Sequence, residues 1–138
     1  MGMMLASDLR ISSPSATFGL PELKLGTVPG NGGVRRAALD MPHAVVMELL
    51  LLGDRLSAER ARELGLVNAV VSHERVLETA MSWAERIAEL PVPAVQAAVR
   101  LASTSSRLGV SDAAWLEDLL LTSLSTSSSP LPGRERTP

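Results

Sequence analysis

The 138-residue sequence has no cysteine and no tyrosine, and its aromatic residues are limited to Phe18, Trp83 and Trp115. Without thiols there is no disulfide, thiolate metal site or redox pair, and cysteine usage says nothing of the compartment. So few rings argue against an aromatic base-stacking surface for nucleic acid. An excess of one charge is missing as well. Thirteen basic residues against fifteen acidic ones leave a formal net charge of -2, and no global field to draw DNA, RNA or anionic lipid. The most apolar run, residues 44–52, contains Glu48 and falls far short of the ~20 residues a membrane span needs. Residues 1–6 are apolar but lack the basic region and apolar length of a secretory signal. The expectation is a cytoplasmic protein that binds neither nucleic acid nor membrane.

What the chain has is aliphatic: 46% of its residues are hydrophobic, so Leu, Val, Ala, Met and Ile must build the core. That composition suits packed helices with a little sheet. Residues 5–28 read as extended chain with turns: a short strand over Asp8–Ile11, a turn at Ser12–Ser15, and extended chain again over Thr17–Leu25, interrupted by Gly19 and Pro21. Gly26 to Gly33 then holds four glycines in eight residues, which marks either unusual backbone conformations or a close approach to another group.

Beyond Gly33 the apolar spacing becomes helical. Pro42 suits a first turn, Val45, Val46, Leu49, Leu50 and Leu52 supply the inner positions, and Gly53 is a stop. Ser57 is a cap for a short helix that ends at Gly65. The stripe Val76, Leu77, Ala80, Met81, Ala84, Ile87 predicts a helix over His73–Leu90, Pro93 opens another through about Arg107, and Ser111 caps a last one carrying Trp115, Leu116 and Leu119. The Ser-, Thr- and Pro-rich stretch from Thr122 predicts a disordered tail over 125–138. The organisation is one partial domain over 1–124, with a strand, turn and glycine-rich head at 1–33 and a helical region at 34–124.

Several constellations carry no chemistry. The glycine run lacks the Lys-Ser/Thr ending of a phosphate loop and the spacing of a dinucleotide fingerprint. His43 and His73 stand thirty residues apart with no ligand spacing around them, so no metal site is expected. Nor does any nucleophile elbow accompany them.

One set of motifs is specific as a set: Phe18-Gly19-Leu20-Pro21-Glu22, then Gly26, then Pro29-Gly30-Asn31-Gly32-Gly33 with Arg36, then Gly53-Asp54-Arg55-Leu56-Ser57-Ala58, then Gly65-Leu66-Val67. In this register, over residues 2–124, the sequence resembles the enoyl-CoA hydratase/isomerase (crotonase) family, in its C-terminal half. The resemblance implies an α/β fold, here a partial crotonase-like ββα spiral followed by a helical C-terminal region, and a homo-oligomer, trimer or hexamer. It implies an acyl-CoA thioester as substrate, with coenzyme A part of that substrate and no separate cofactor. The reaction would be hydration or isomerisation of a 2-enoyl-CoA double bond through an enolate-like intermediate.

Carried over by position, Glu22 matches a catalytic carboxylate that moves a proton at the substrate α-carbon, and Leu20, Pro21, Pro29 and Gly30 match substrate-binding positions. An apolar setting around Glu22 is one in which a carboxyl can carry a proton; the alternative is a surface glutamate on an exposed strand. Counting back from Asp8, the first of the family's two carboxylates falls at position 2, which holds Gly2. The backbone amides that bind the thioester oxygen fall earlier still. This departure favours chemistry with one carboxylate, such as double-bond isomerisation, and the expectation of a longer native polypeptide; a degenerate short relative is the alternative. Arg100 and Arg107 would meet a coenzyme A phosphate or line a solvated helix face. A non-catalytic assembly module is the competing function.

Overall fold

A computed structural model describes residues 1–105 and 108–127. A short 3-10 turn at Met4–Ala6 leads to strand β1 (Ile11–Ser12) and, after a turn, strand β2 (Thr17–Gly19). Pro21–Leu25 is not extended, as the sequence reading expected, but one 3-10 helix. Pro21 supplies a fixed φ at its first position, and Gly26 closes it in the left-handed region (φ +70°), donating to the carbonyls of Glu22 and Leu23. The strand reading failed because proline in the first turn starts a helix as readily as it interrupts a strand.

Helix α1 (Gly33–Asp40) follows the glycine run. Pro42 then caps helix α2 (His43–Met47) instead of sitting inside its first turn, and α2 widens into a π-helical turn at Glu48–Leu52 that ends at Gly53 (φ +65°). Strand β3 (Arg55–Ser57) was not anticipated. Three residues between a helix stop and a helix cap are too few to show a period of two; β3 exists because β2 is there to pair with it, antiparallel, Phe18 opposite Leu56. The strands approach closely at Gly19, where a Cβ would stand 3.2 Å from both Arg55 Cγ and the Asp54 carbonyl, tighter than ordinary contact.

Ser57 caps helix α3 (Ala58–Glu63) as its position predicts: its Oγ accepts from the Arg60 amide at 3.1 Å. Strand β4 (Ala69–Val70) pairs parallel to β1, Ile11 opposite Ala69. A 3-10 turn at His73–Arg75 opens α4 (Val76–Ala88), followed by α5 (Val92–Ser105) and α6 (Val110–Ser127). Ser111 lies inside α6 and does not cap it, because the Ala113 amide already bonds the Gly109 carbonyl. The helix also runs past Thr122 to Ser127, into the stretch read as a tail. Thr122 and Ser123 satisfy their hydroxyls on carbonyls of the preceding turn, Asp118 and Leu120, which makes them compatible with a helix. Residues 128–138, the remainder of the expected tail, and Arg107 lie outside the described residues.

The chain divides into two compact units, Met1–Ser82 and Trp83–Pro138. The first unit is mixed α/β with two two-stranded sheets, and it holds the aliphatic core, in which Leu20, Val46, Leu49 and Leu66 are fully buried. Each such side chain contributes about 1.5–3 kcal/mol over the exposed state. The second unit is helical, and α5 within it carries no buried residue. Among the described residues no helix is long and apolar enough to cross a membrane.

Candidate functional site

Glu22 stands in the first turn of the Pro21–Leu25 helix. Leu20, directly before it, is 1% exposed and anchors the segment in the core. Glu22 itself is half-buried, and its Oε2 is shielded from solvent with no hydrogen-bond partner among the described residues. Buried carboxylate oxygens are normally paired, so the unpartnered Oε2 sets Glu22 apart on this turn as an acceptor not used within the described chain.

The remaining candidates fall around the same turn. Pro21 is half-buried, Pro29 is buried and Gly30 is exposed. Gly33 brings two of them together: a Cβ built on it would lie 3.4 Å from Pro29 Cβ and 3.9 Å from Leu20 Cδ2. Leu20 and Pro29 therefore converge on one glycine at the start of α1. The loop between them and α1 turns through two successive left-handed residues, Asn31 (φ 53°) and Gly32 (φ 74°), with the Gly33 amide bonded to the Gly30 carbonyl at 2.9 Å. Arg36 closes this turn from the helix side, Nη1 donating to the Asn31 carbonyl at 2.6 Å. Of the four glycines, Gly26 and Gly32 hold left-handed backbone and Gly33 stands close to Pro29 and Leu20, while the turn is tied by bonds internal to the loop and α1.

Two functional features escaped the sequence reading. Lys24, two residues after Glu22, donates from Nζ to the Gly53 carbonyl at 3.1 Å and so ties the Glu22 turn to the end of the π-helical turn. Gly53 was legible as a helix stop, but nothing local named its partner. Arg10 is the other: its guanidinium meets Asp40 Oδ2 at 2.7 Å and also reaches the carbonyls of Leu5, Ser7 and Leu66.

His73 lines a cavity of about 490 Å³ in the first unit together with Arg10, Phe18 and Val76, and that lining includes none of the Glu22-turn residues. His43 is the first residue of α2. Among the described residues no group of three His, Asp or Glu side chains is placed to hold a metal ion. Arg100 borders a smaller cavity of about 250 Å³ between α5 and α6, with Gln96 and Leu120. Gly2 faces open space: a Cβ there would meet nothing within 4 Å.

A family model described as enoyl-CoA hydratase/isomerase matches residues 1–129. Carnitinyl-CoA dehydratase of Proteus mirabilis is 37% identical over 110 residues, an overlap covering 80% of this chain and 42% of the relative. Among solved structures, an enoyl-CoA hydratase from Mycobacterium tuberculosis H37Rv superposes with a TM-score of 0.85 at 38% identity, covering 90% of this chain and 49% of that one. An enoyl-CoA hydratase from Bacillus anthracis superposes with a TM-score of 0.86 at 32% identity, over 90% of this chain and 48% of that one. The chain thus spans about half the length of the relatives it matches.

Proposed function

The chain belongs to the enoyl-CoA hydratase/isomerase family, and on that premise we propose that it acts on an acyl-CoA thioester, with Glu22 as the group that moves a proton at the α-carbon. The observation that carries this reading is the orphaned, shielded Oε2 of Glu22, held on a turn that is anchored by a fully buried neighbour. In hydration of a 2-enoyl thioester, water oxygen bonds to C3 as water gives one proton to a carboxylate, the π electrons move toward C2 and the thioester oxygen, and C2 takes a proton from the carboxyl. In isomerisation the carboxylate removes a proton from C2 of a 3-enoyl thioester and returns it at C4. Both need one well-placed carboxyl at C2, which Glu22 supplies. Hydration also needs a group to hold the water. Because the position the resemblance gives to a first carboxylate holds Gly2, the single-carboxylate reaction, isomerisation, is the reading we favour. Elimination of water, the reaction named for the Proteus mirabilis relative, lies in the same class.

Two assays on the full chain test this: conversion of a short-chain enoyl-CoA, and deuterium incorporation at the α-carbon of a saturated acyl-CoA in heavy water. Glu22→Gln, which keeps shape and removes proton transfer, is expected to lower both by roughly 10²–10⁴-fold. A wild-type rate matched by Glu22→Gln would exclude Glu22 from the chemistry.

A second reading, a non-catalytic assembly module, is favoured by the apolar stripe of α4. Leu77 and Met81 are 72% and 52% exposed there, a face suited to a protein partner. A folded chain that associates but gives no Glu22-dependent exchange supports that module instead.

A further inference from the structure

We infer that Lys24 and Gly53 form a clamp that positions the Glu22 carboxylate, an inference that rests on Glu22 acting as proposed above. A 3-10 helix of five residues has poor internal hydrogen bonding and depends on outside anchors. At its front, Leu20 is buried in the core; at its rear, Leu23, Lys24 and Leu25 are exposed. Among the described residues, the side chains of Pro21–Leu25 make one hydrogen bond, Lys24 Nζ to the Gly53 carbonyl at 3.1 Å.

That acceptor is well chosen. Gly53 caps the π-helical turn Glu48–Leu52, at a helix end where carbonyls lack intrahelical partners and an ammonium is favoured by both the hydrogen bond and the dipole. The turn itself is fixed by Leu49 and Leu50, which are buried in the core. The lysine stem also passes through the space that a side chain at position 53 would need. A Cβ on Gly53 would collide with Lys24 Cε and stand 3.0 Å from Nζ and 3.1 Å from Cδ. Gly53 adopts a left-handed φ of +65°, which favours glycine, and the flexible end of Lys24 occupies the space a side chain there would enter. An alanine at 53 can be accommodated by expelling the lysine end, which opens the clamp.

Lys24 reaches no reacting atom in this scheme; it acts on Glu22 through two residues of backbone. Misplacement of a catalytic group by about 1 Å can cost 10²-fold in rate. Lys24→Met, which keeps most of the stem and loses the donor, is expected to lower Glu22-dependent turnover per folded molecule about tenfold or more, in kcat and not KM, with Lys24→Arg restoring most of it. Gly53→Ala should do the same, and the double variant should fall no lower than the worse single one, because both remove the same contact. Gly65→Ala is the control: it places alanine at another left-handed glycine, φ +73°, with nothing within 4 Å of the new Cβ. It should lower stability and leave turnover per folded molecule unchanged.

A second readout needs no turnover. The Gly26 and Thr27 amides bond back to the Glu22 turn, and their hydrogen exchange in Lys24→Met should accelerate about tenfold or more while Leu49 and Leu50 stay protected. Unchanged exchange at Gly26 and Thr27, or additive rate losses in the double variant, overturns the clamp. Turnover insensitive to Glu22→Gln overturns the catalytic reading alone, and the exchange measurement then still decides whether Lys24 holds the turn.

Discussion

Arg10 does for the scaffold of the first unit what Lys24 does for the Glu22 turn. Its side chain is 13% exposed and that of its partner Asp40 30%, so the arginine is mostly covered while the aspartate still meets solvent. The same guanidinium donates to Leu66, Ser7 and Leu5 carbonyls, while the backbone of Arg10 exchanges bonds with Asn68. Arg10→Met is expected to strip these carbonyls of their donor and leave Asp40 without its charge partner. The expected cost is about 2 kcal/mol, read as a lower urea midpoint at unchanged slope; an unmoved midpoint would show that water replaces the arginine at no cost. No pattern in the sequence marks Arg10, because its partners come from positions 5, 7, 40 and 66, which meet only after folding. Glu22 became a candidate by the opposite route. The residues that announce it, Pro21 and the glycines that follow, sit beside it in the chain, and its candidacy came through a contiguous motif.

At the scale of elements, the same distinction separates what could be read from what could not. Caps and stops are local chemistry, so Ser57, Gly53 and Gly65 mark helix ends in the sequence and in the structure alike. Ser57→Ala should remove the bond to the Arg60 amide and cost about 1 kcal/mol in chemical denaturation, whereas Ser57→Asp, which still caps, should not. Strand β3 was hidden, since it is decided by a distant partner, β2, whereas the 3-10 form of Pro21–Leu25 was missed because Pro21 serves a first helical turn as readily as it interrupts a strand. Helix α6 exceeded its expected length because serine and threonine, read as breakers, here bond to their own preceding turn. Composition described those residues correctly and their geometry incorrectly.

For the molecule as a whole, the aliphatic composition found its expected use: the largest fully buried side chains of the first unit are leucine or valine, with Ala37, Ala58 and Ala61 buried beside them. A set of motifs spread from Phe18 to Val67 was also recognisable in advance. Leu77 and Met81, both in the first unit, turn apolar surface outward from α4 at 72% and 52% exposure. The chain is expected to self-associate through this stripe. Sedimentation velocity should show mass rising with concentration, and Leu77→Asp with Met81→Asp should return it to the monomer; a wild-type monomer at every concentration would refute this. The strand pairings have a consequence of another kind. Arg10 meets Asn68 beside β1 and β4 across 58 positions, and Thr17 meets Arg55 beside β2 and β3 across 38. Every sheet contact therefore waits for a long loop to close, and such closures slow the route to the native state. The Glu22 turn lies inside both loops and draws its far anchor from Gly53. During synthesis, then, Glu22 leaves the ribosome ahead of the groups that surround it, and acquires them only once the residues around 69 have followed it out.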